Sequence, residues 1–202
     1  MIGKWNKSVI LTYIGLGLSV LGISFLSLGY GIEYAMVCLM IAGVCDLFDG
    51  TFARMCKRTK EEKMFGVELD SLVDVFNFIA FPVIILLSLQ INKIYCIPVY
   101  ILYAICGVAR LAHFNITTED LNKPRKYYEG LPVTYAALLF PIIYLLSYVI
   151  KTNVFNILYI FSTLIIAVLF IVKVKIPKPK TLSSIVLLLI AIILTIMYLF
   201  VL

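Results

Sequence analysis

The sequence predicts an all-α, polytopic integral membrane protein, and three features carry that prediction. Hydrophobic residues fill 63% of 202 positions and charged residues only 14%, with a mean hydropathy of +1.08. That is more apolar surface than a soluble domain of this size can bury. The apolar residues run continuously, in stretches close to the roughly 20 residues of helix that cross a hydrocarbon core about 30 Å thick. The basic residues gather in alternate connections between those stretches, the pattern that the positive-inside bias leaves on a bundle of spanning helices.

Seven spans are expected, at 9–28, 34–54, 66–90, 94–112, 131–150, 154–172 and 181–202. Helix is the expected element because the runs lack the alternation of a membrane barrel. The first run is long for a signal peptide and no A-x-A-like cleavage site follows it, so it reads as a retained span. With the N-terminus cytoplasmic, Lys4 and Lys7, the loop 55–65, the loop 113–129 and the lysines of 173–180 all lie inside, leaving only Lys93 and Lys151 outside. The segment IPKPK at 176–180 reads as a stiff linker, because Pro177 and Pro179 resist helix. No repeat or soluble domain interrupts the chain. Residues 1–202 therefore form one membrane domain, with a core at about 9–172 and an additional C-terminal helix at 181–202.

The net charge of +6 does not point to nucleic acid, since the basic residues sit in short loops beside apolar runs without a soluble domain to carry a groove. Anionic headgroups, or the phosphates of a lipid substrate, account for them. Five cysteines, at 38, 45, 56, 96 and 106, form no C-x-x-C pair and read as small apolar fillers. The single histidine, His113, lies at the end of a span, where capping or headgroup contact is its ordinary role.

Four aspartates break the apolar pattern. Asp46 and Asp49 lie three apart at the end of the second run, and Asp70 and Asp74 lie four apart early in the third. Each spacing places a pair on one helix face. A short loop joins the two helices, so they run antiparallel and bring both pairs to one depth near the cytoplasmic side. Carboxylates there are costly to desolvate and repel one another, so a cation is expected between them. An all-oxygen donor set suits magnesium, manganese or calcium and suits zinc or copper poorly. Four carboxylates supply enough ligands for two ions. Gly50, Ala53 and Gly66 remove side-chain bulk beside the acids and leave room for a metal-bound phosphate compound.

Asp46-x-x-Asp49-Gly50-x-x-Ala53-Arg54, eleven residues, then Gly66-x-x-x-Asp70-x-x-x-Asp74 resembles the complete signature of the CDP-alcohol phosphotransferases, spanning 46–74. The resemblance implies a reaction in which a lipid on CDP, CDP-diacylglycerol or its archaeal ether analogue, passes its phosphatidyl group to a small alcohol and releases CMP. It further implies Asp46, Asp49, Asp70 and Asp74 as ligands of Mg2+ or Mn2+, two ions in all, with Ca2+ also able to bind. Gly50, Ala53 and Gly66 would line the nucleotide side, with Arg54 either beside them or serving as a positive-inside anchor. Asp74 would be the base, and the enzyme a homodimer in the cell membrane with its active site near the cytoplasmic face.

The stretches Glu68–Asp74, Ala109–Asn115 and Glu129–Pro132 resemble the phosphatidylserine synthase branch. That branch commonly reads Ser-Phe-Gly after the last aspartate, whereas this chain has Asn77-Phe78-Ile79. Inositol phosphate or glycerol phosphate as acceptor therefore stays open. For serine, Arg110 is the candidate for the carboxylate, with Arg125 or Lys126 in reserve, and Asn115 or Glu129 for the ammonium. An ion-coupled transporter is the competing class, but it would spread its acids along a path rather than cluster them at one end of two neighbouring helices.

Overall fold

The computed structural model describes residues 3–89, 91, 94–118, 127–177 and 181–200. The chain enters through a 3-10 turn, Lys7–Val9, capped by Asn6, whose side chain accepts a hydrogen bond from the Ser8 N–H at 3.0 Å. Helix α1 (Ile10–Ser27) follows and ends near Gly29, whose φ of +80° suits a residue without Cβ. Helix α2 (Ile32–Met55) returns antiparallel against it. Small residues set their spacing, as is usual between helices in lipid: a Cβ on Gly15 would sit 3.6 Å from that of Cys45, and one on Gly22 would sit 2.9 Å from that of Cys38.

Helix α3 (Lys60–Val75) begins six residues before the apolar run that predicted it. The cause is local. Thr59 and Glu62 form a capping box, with the Glu62 N–H donating to Thr59 Oγ1 at 3.2 Å and the Thr59 N–H to Glu62 Oε2 at 2.7 Å. This start is a polar turn, which hydropathy does not register.

After Val75 the helix widens into a π turn, Phe76–Ala80, and continues as α4 (Phe81–Ser88). Pro82 has no N–H to give the carbonyl four residues back, and the Tyr103 hydroxyl donates to that Phe78 oxygen at 2.6 Å instead. The unbroken unit Lys60–Ser88 is apolar enough to span.

Helix α5 (Ile97–Thr118) runs six residues past the expected 112 and packs along α7 (Thr152–Ile171). Between them in sequence, strand β1 (Tyr127–Glu129) pairs antiparallel with β2 (Lys175–Pro177), Glu129 opposite Lys175. The segment expected to be only a linker thus begins as half of a small ribbon; residues 178–180 lie outside the described residues. Gly130, with φ +76°, follows β1, and its N–H donates to the Val174 carbonyl at 3.0 Å. The turn passes so close to the Phe170 carbonyl that a Cβ would collide with it.

Helix α6 (Ala136–Tyr144) lies between two 3-10 turns, Val133–Tyr135 and Leu145–Tyr148. Because 3-10 residues rise about 2 Å against about 1.5 Å in α-helix, this short segment still reaches about 28 Å. Helix α8 (Thr181–Phe200) closes the bundle against α2 and α6. Among the described residues, six helices are thus long and apolar enough to cross a membrane, with the α6 segment as a shorter seventh. This is the polytopic helical fold expected.

The core holds Met36, Phe78, Phe81, Tyr103, Phe140 and Tyr159. Its tyrosine hydroxyls are matched, as a lipid setting demands: Tyr159 donates to the Phe140 carbonyl at 3.2 Å and Tyr198 to the Pro141 carbonyl at 2.6 Å.

Candidate active site

The loop between α2 and α3 and the N-terminal segment meet at one end of the bundle. Lys4 Nζ lies 2.7 Å from Glu61, and Asn6 Nδ2 donates to Glu62 at 2.9 Å and to the Lys57 carbonyl at 3.3 Å. The four aspartates sit just inside that end.

Antiparallel α2 and α3 bring the acids together in crossed pairs, Asp46 within hydrogen-bond reach of Asp74 and Asp49 of Asp70. One carboxylate oxygen from each of Asp46, Asp49 and Asp70 lies within 4.8 Å of the others. Asp49 and Asp74 are buried. Helix α1 contributes a donor the sequence had not singled out, Thr12, whose hydroxyl meets Asp49 Oδ2 at 3.1 Å. The guanidinium of Arg110 faces Asp46 electrostatically and lies over the Phe114 ring at 5.0 Å.

Oxygen atoms so close, all from carboxylates, form the donor set a hard divalent cation takes. The residues present therefore fit a hard divalent cation, whose charge would offset the mutual repulsion of the acids.

The acids close one end of a cavity of about 380 Å3. Gly50, Thr51, Arg54 and Arg110 complete that polar end, where Arg54 Nη2 donates to Thr51 at 2.8 Å. A Cβ on Gly50 would meet only the Arg54 guanidinium, at 3.6 Å, so the backbone there is open to a ligand. The other end is apolar, walled by Met40 and Val44 of α2, Leu138 of α6, and Leu187 and Ala191 of α8. The last helix therefore belongs to the site, a part hydropathy could not assign to it.

On its far side Arg110 borders a second cavity of about 140 Å3, with His113, Glu129 and Lys173 in its wall. His113 Nε2 and Glu129 Oε2 are 3.5 Å apart.

The other expected residues divide. Ala53 and Gly66 are not in the wall of the larger cavity, and Gly66 faces Val9 and Arg58 instead. Asn115 donates to Ser71 Oγ at 2.8 Å, bracing α5 against α3, and lines neither cavity. Arg125 and Lys126 lie outside the described residues.

Residues 5–197 match the family model of the CDP-alcohol phosphatidyltransferases. The chain belongs to this family.

Among CDP-alcohol phosphatidyltransferases, several relatives align with about half to two thirds of the chain. It is 35% identical over 100 residues to the CDP-diacylglycerol–serine O-phosphatidyltransferase of Saccharomyces cerevisiae, covering 46% of this chain and 35% of that one. It is 31% identical over 143 residues to the archaetidylserine synthase of Methanothermobacter thermautotrophicus, covering 70% and 59%. With the CDP-diacylglycerol–serine O-phosphatidyltransferase of Helicobacter pylori it shares 33% over 112 residues, covering 53% and 45%. The chain thus spans between about a third and three fifths of the length of these relatives.

Proposed function

We propose that this chain transfers the phosphatidyl-type group of a CDP-linked lipid, CDP-diacylglycerol or its ether analogue, to the hydroxyl of L-serine, releasing CMP. One observation carries the reading: crossed pairs of carboxylates close the polar end of a cavity whose other end is apolar. An amphiphilic donor needs both ends. The names of the relatives in three organisms support serine as the acceptor.

Asp46, Asp49, Asp70 and Asp74 would hold two Mg2+ or Mn2+ ions. When bound, these supply positive charge against the diphosphate and the departing CMP. The open backbone at Gly50 and the guanidinium of Arg54 face the nucleotide end. The lipid chains follow the apolar arm between α2, α6 and α8. Serine's carboxylate meets the forked donors of Arg110, and its ammonium meets Glu129, which His113 holds in place. Asp74 takes the proton from the serine hydroxyl as the oxygen bonds the lipid-bearing phosphorus. The phosphorus–oxygen bond to CMP breaks, and CMP leaves with that electron pair. The basic residues at that end of the bundle support a site near the cytoplasmic face of the cell membrane, and the family resemblance supports a homodimer as the working unit.

The test is CMP release by purified protein with Mn2+ or Mg2+, offering serine, inositol phosphate or glycerol phosphate, each with diacyl and ether donors. Release that depends on serine is expected. Turnover only with a phosphorylated acceptor would overturn serine and leave the family chemistry standing.

A further inference from the structure

The buried side chain of Asn77 has no role in the reaction as described, yet it is placed against the four carboxylates. It is only 2% exposed, and its Oδ1 meets no donor among the described residues. A buried carbonyl left in that state is costly, so its persistence calls for a partner beyond the described side chains.

Three features locate that partner. Asn77 lies one turn beyond Asp74, in the π turn that follows α3, and such turns concentrate at functional sites. Its Nδ2 packs toward α1, where a Cβ on Gly15 would stand 3.3 Å away. Its wall is shared: Asn77, Thr12 and all four aspartates line one small cavity of about 10 Å3 behind the acids, the room that a single water requires.

An amide carbonyl and a carboxylate are both acceptors and cannot bond each other directly. A water between them, with two hydrogens to give, satisfies both. We propose that Asn77 is a positioning residue that holds Asp74 through such a water, turning its other oxygen toward the bound ions and the acceptor hydroxyl. Thr12 performs the same service directly for Asp49. Both side chains form a polar layer behind the ligands, of the kind that orients metal-binding groups. The inference rests on the reading of Asp74 given above.

Asn77→Ala and Asn77→Ser differ by one hydroxyl and remove similar bulk, so a packing role would treat them alike. Two readouts apply to each: Mn2+ affinity, from the electron paramagnetic resonance of the free ion, and kcat against KM for CMP release. Asn77→Ala is expected to lose about 10–100-fold in Mn2+ affinity and in kcat, with KM for serine unchanged, while Asn77→Ser keeps most of both. Equal loss in the two variants, equal retention, or a loss confined to KM for serine overturns the proposal. Asp74→Asn separates the two readings. If that variant is active, the base assignment fails and takes this inference with it; if it is dead and Asn77→Ala behaves as wild type, only the positioning role fails.

Discussion

Asp46 on α2 and Asp74 on α3 lie within hydrogen-bond reach of each other across the helix pair, although 28 positions separate them in the chain. Two carboxylates hold that distance only with a shared proton or cation between them. Asp74 is the later of the two acids on α3, close to the junction with the π turn. Replacing it with asparagine keeps the shape and removes the basicity. Turnover in Asp74→Asn is expected to fall by at least about 10²–10⁴-fold, the usual contribution of a positioned base, in the CMP release assay. A near-normal rate would remove the base from this position.

Thr12 reaches the site from a different helix. In Thr12→Val the shape persists and the donor to Asp49 goes. Mn2+ affinity is expected to drop about 10–100-fold, measured by titration of the ion into protein in detergent. Unchanged affinity would reduce Thr12 to a packing residue.

Arg110 borders both cavities. Lysine keeps the charge and loses the fork, so Arg110→Lys should raise KM for serine by about tenfold, roughly the loss of one charge-assisted hydrogen bond. KM for the CDP-lipid should stay close to wild type. A rise in the lipid KM alone would move Arg110 to the donor.

On the proposed reading, α8 walls the cavity arm that takes the lipid chains. Ala191→Phe fills that arm and should displace about two methylenes of lipid, near 1.6 kcal/mol or roughly tenfold in KM for a long-chain donor. A short-chain CDP-lipid should be spared. Equal effects on both would show that the chains lie elsewhere.

Tyr103 supplies the hydrogen bond that Pro82 cannot. Tyr103→Phe leaves the Phe78 carbonyl unpaired and should cost about 1–3 kcal/mol of stability, seen as a lower thermal midpoint in detergent. An unchanged midpoint would mean that the π turn satisfies its own carbonyls.

Much of the site was legible in one dimension. Spacings of three and four put each aspartate pair on one face, and a loop too short for any other arrangement made the helices antiparallel. That is enough to gather four carboxylates in one place. Arg110, singled out by the stretch Ala109–Asn115 as a forked partner for a carboxylate, does line the cavity. Thr12, Asn77 and Ala191 were not legible in this way. A threonine, an asparagine or an alanine within a span is ordinary in sequence, and only the rotation of one helix about its axis turns it toward or away from a site.

The spans and the acid pairs follow from hydropathy and helical periodicity, which are local and so readable in one dimension. Neither pattern determines the extra turn that a capping box adds to α3, or the helix that walls the lipid arm. Tertiary structure decided which helix faces which. Lipid is as apolar as the helices it surrounds, so small residues and polar contacts select those faces, as Gly15 against Cys45 and Thr12 against Asp49 do here.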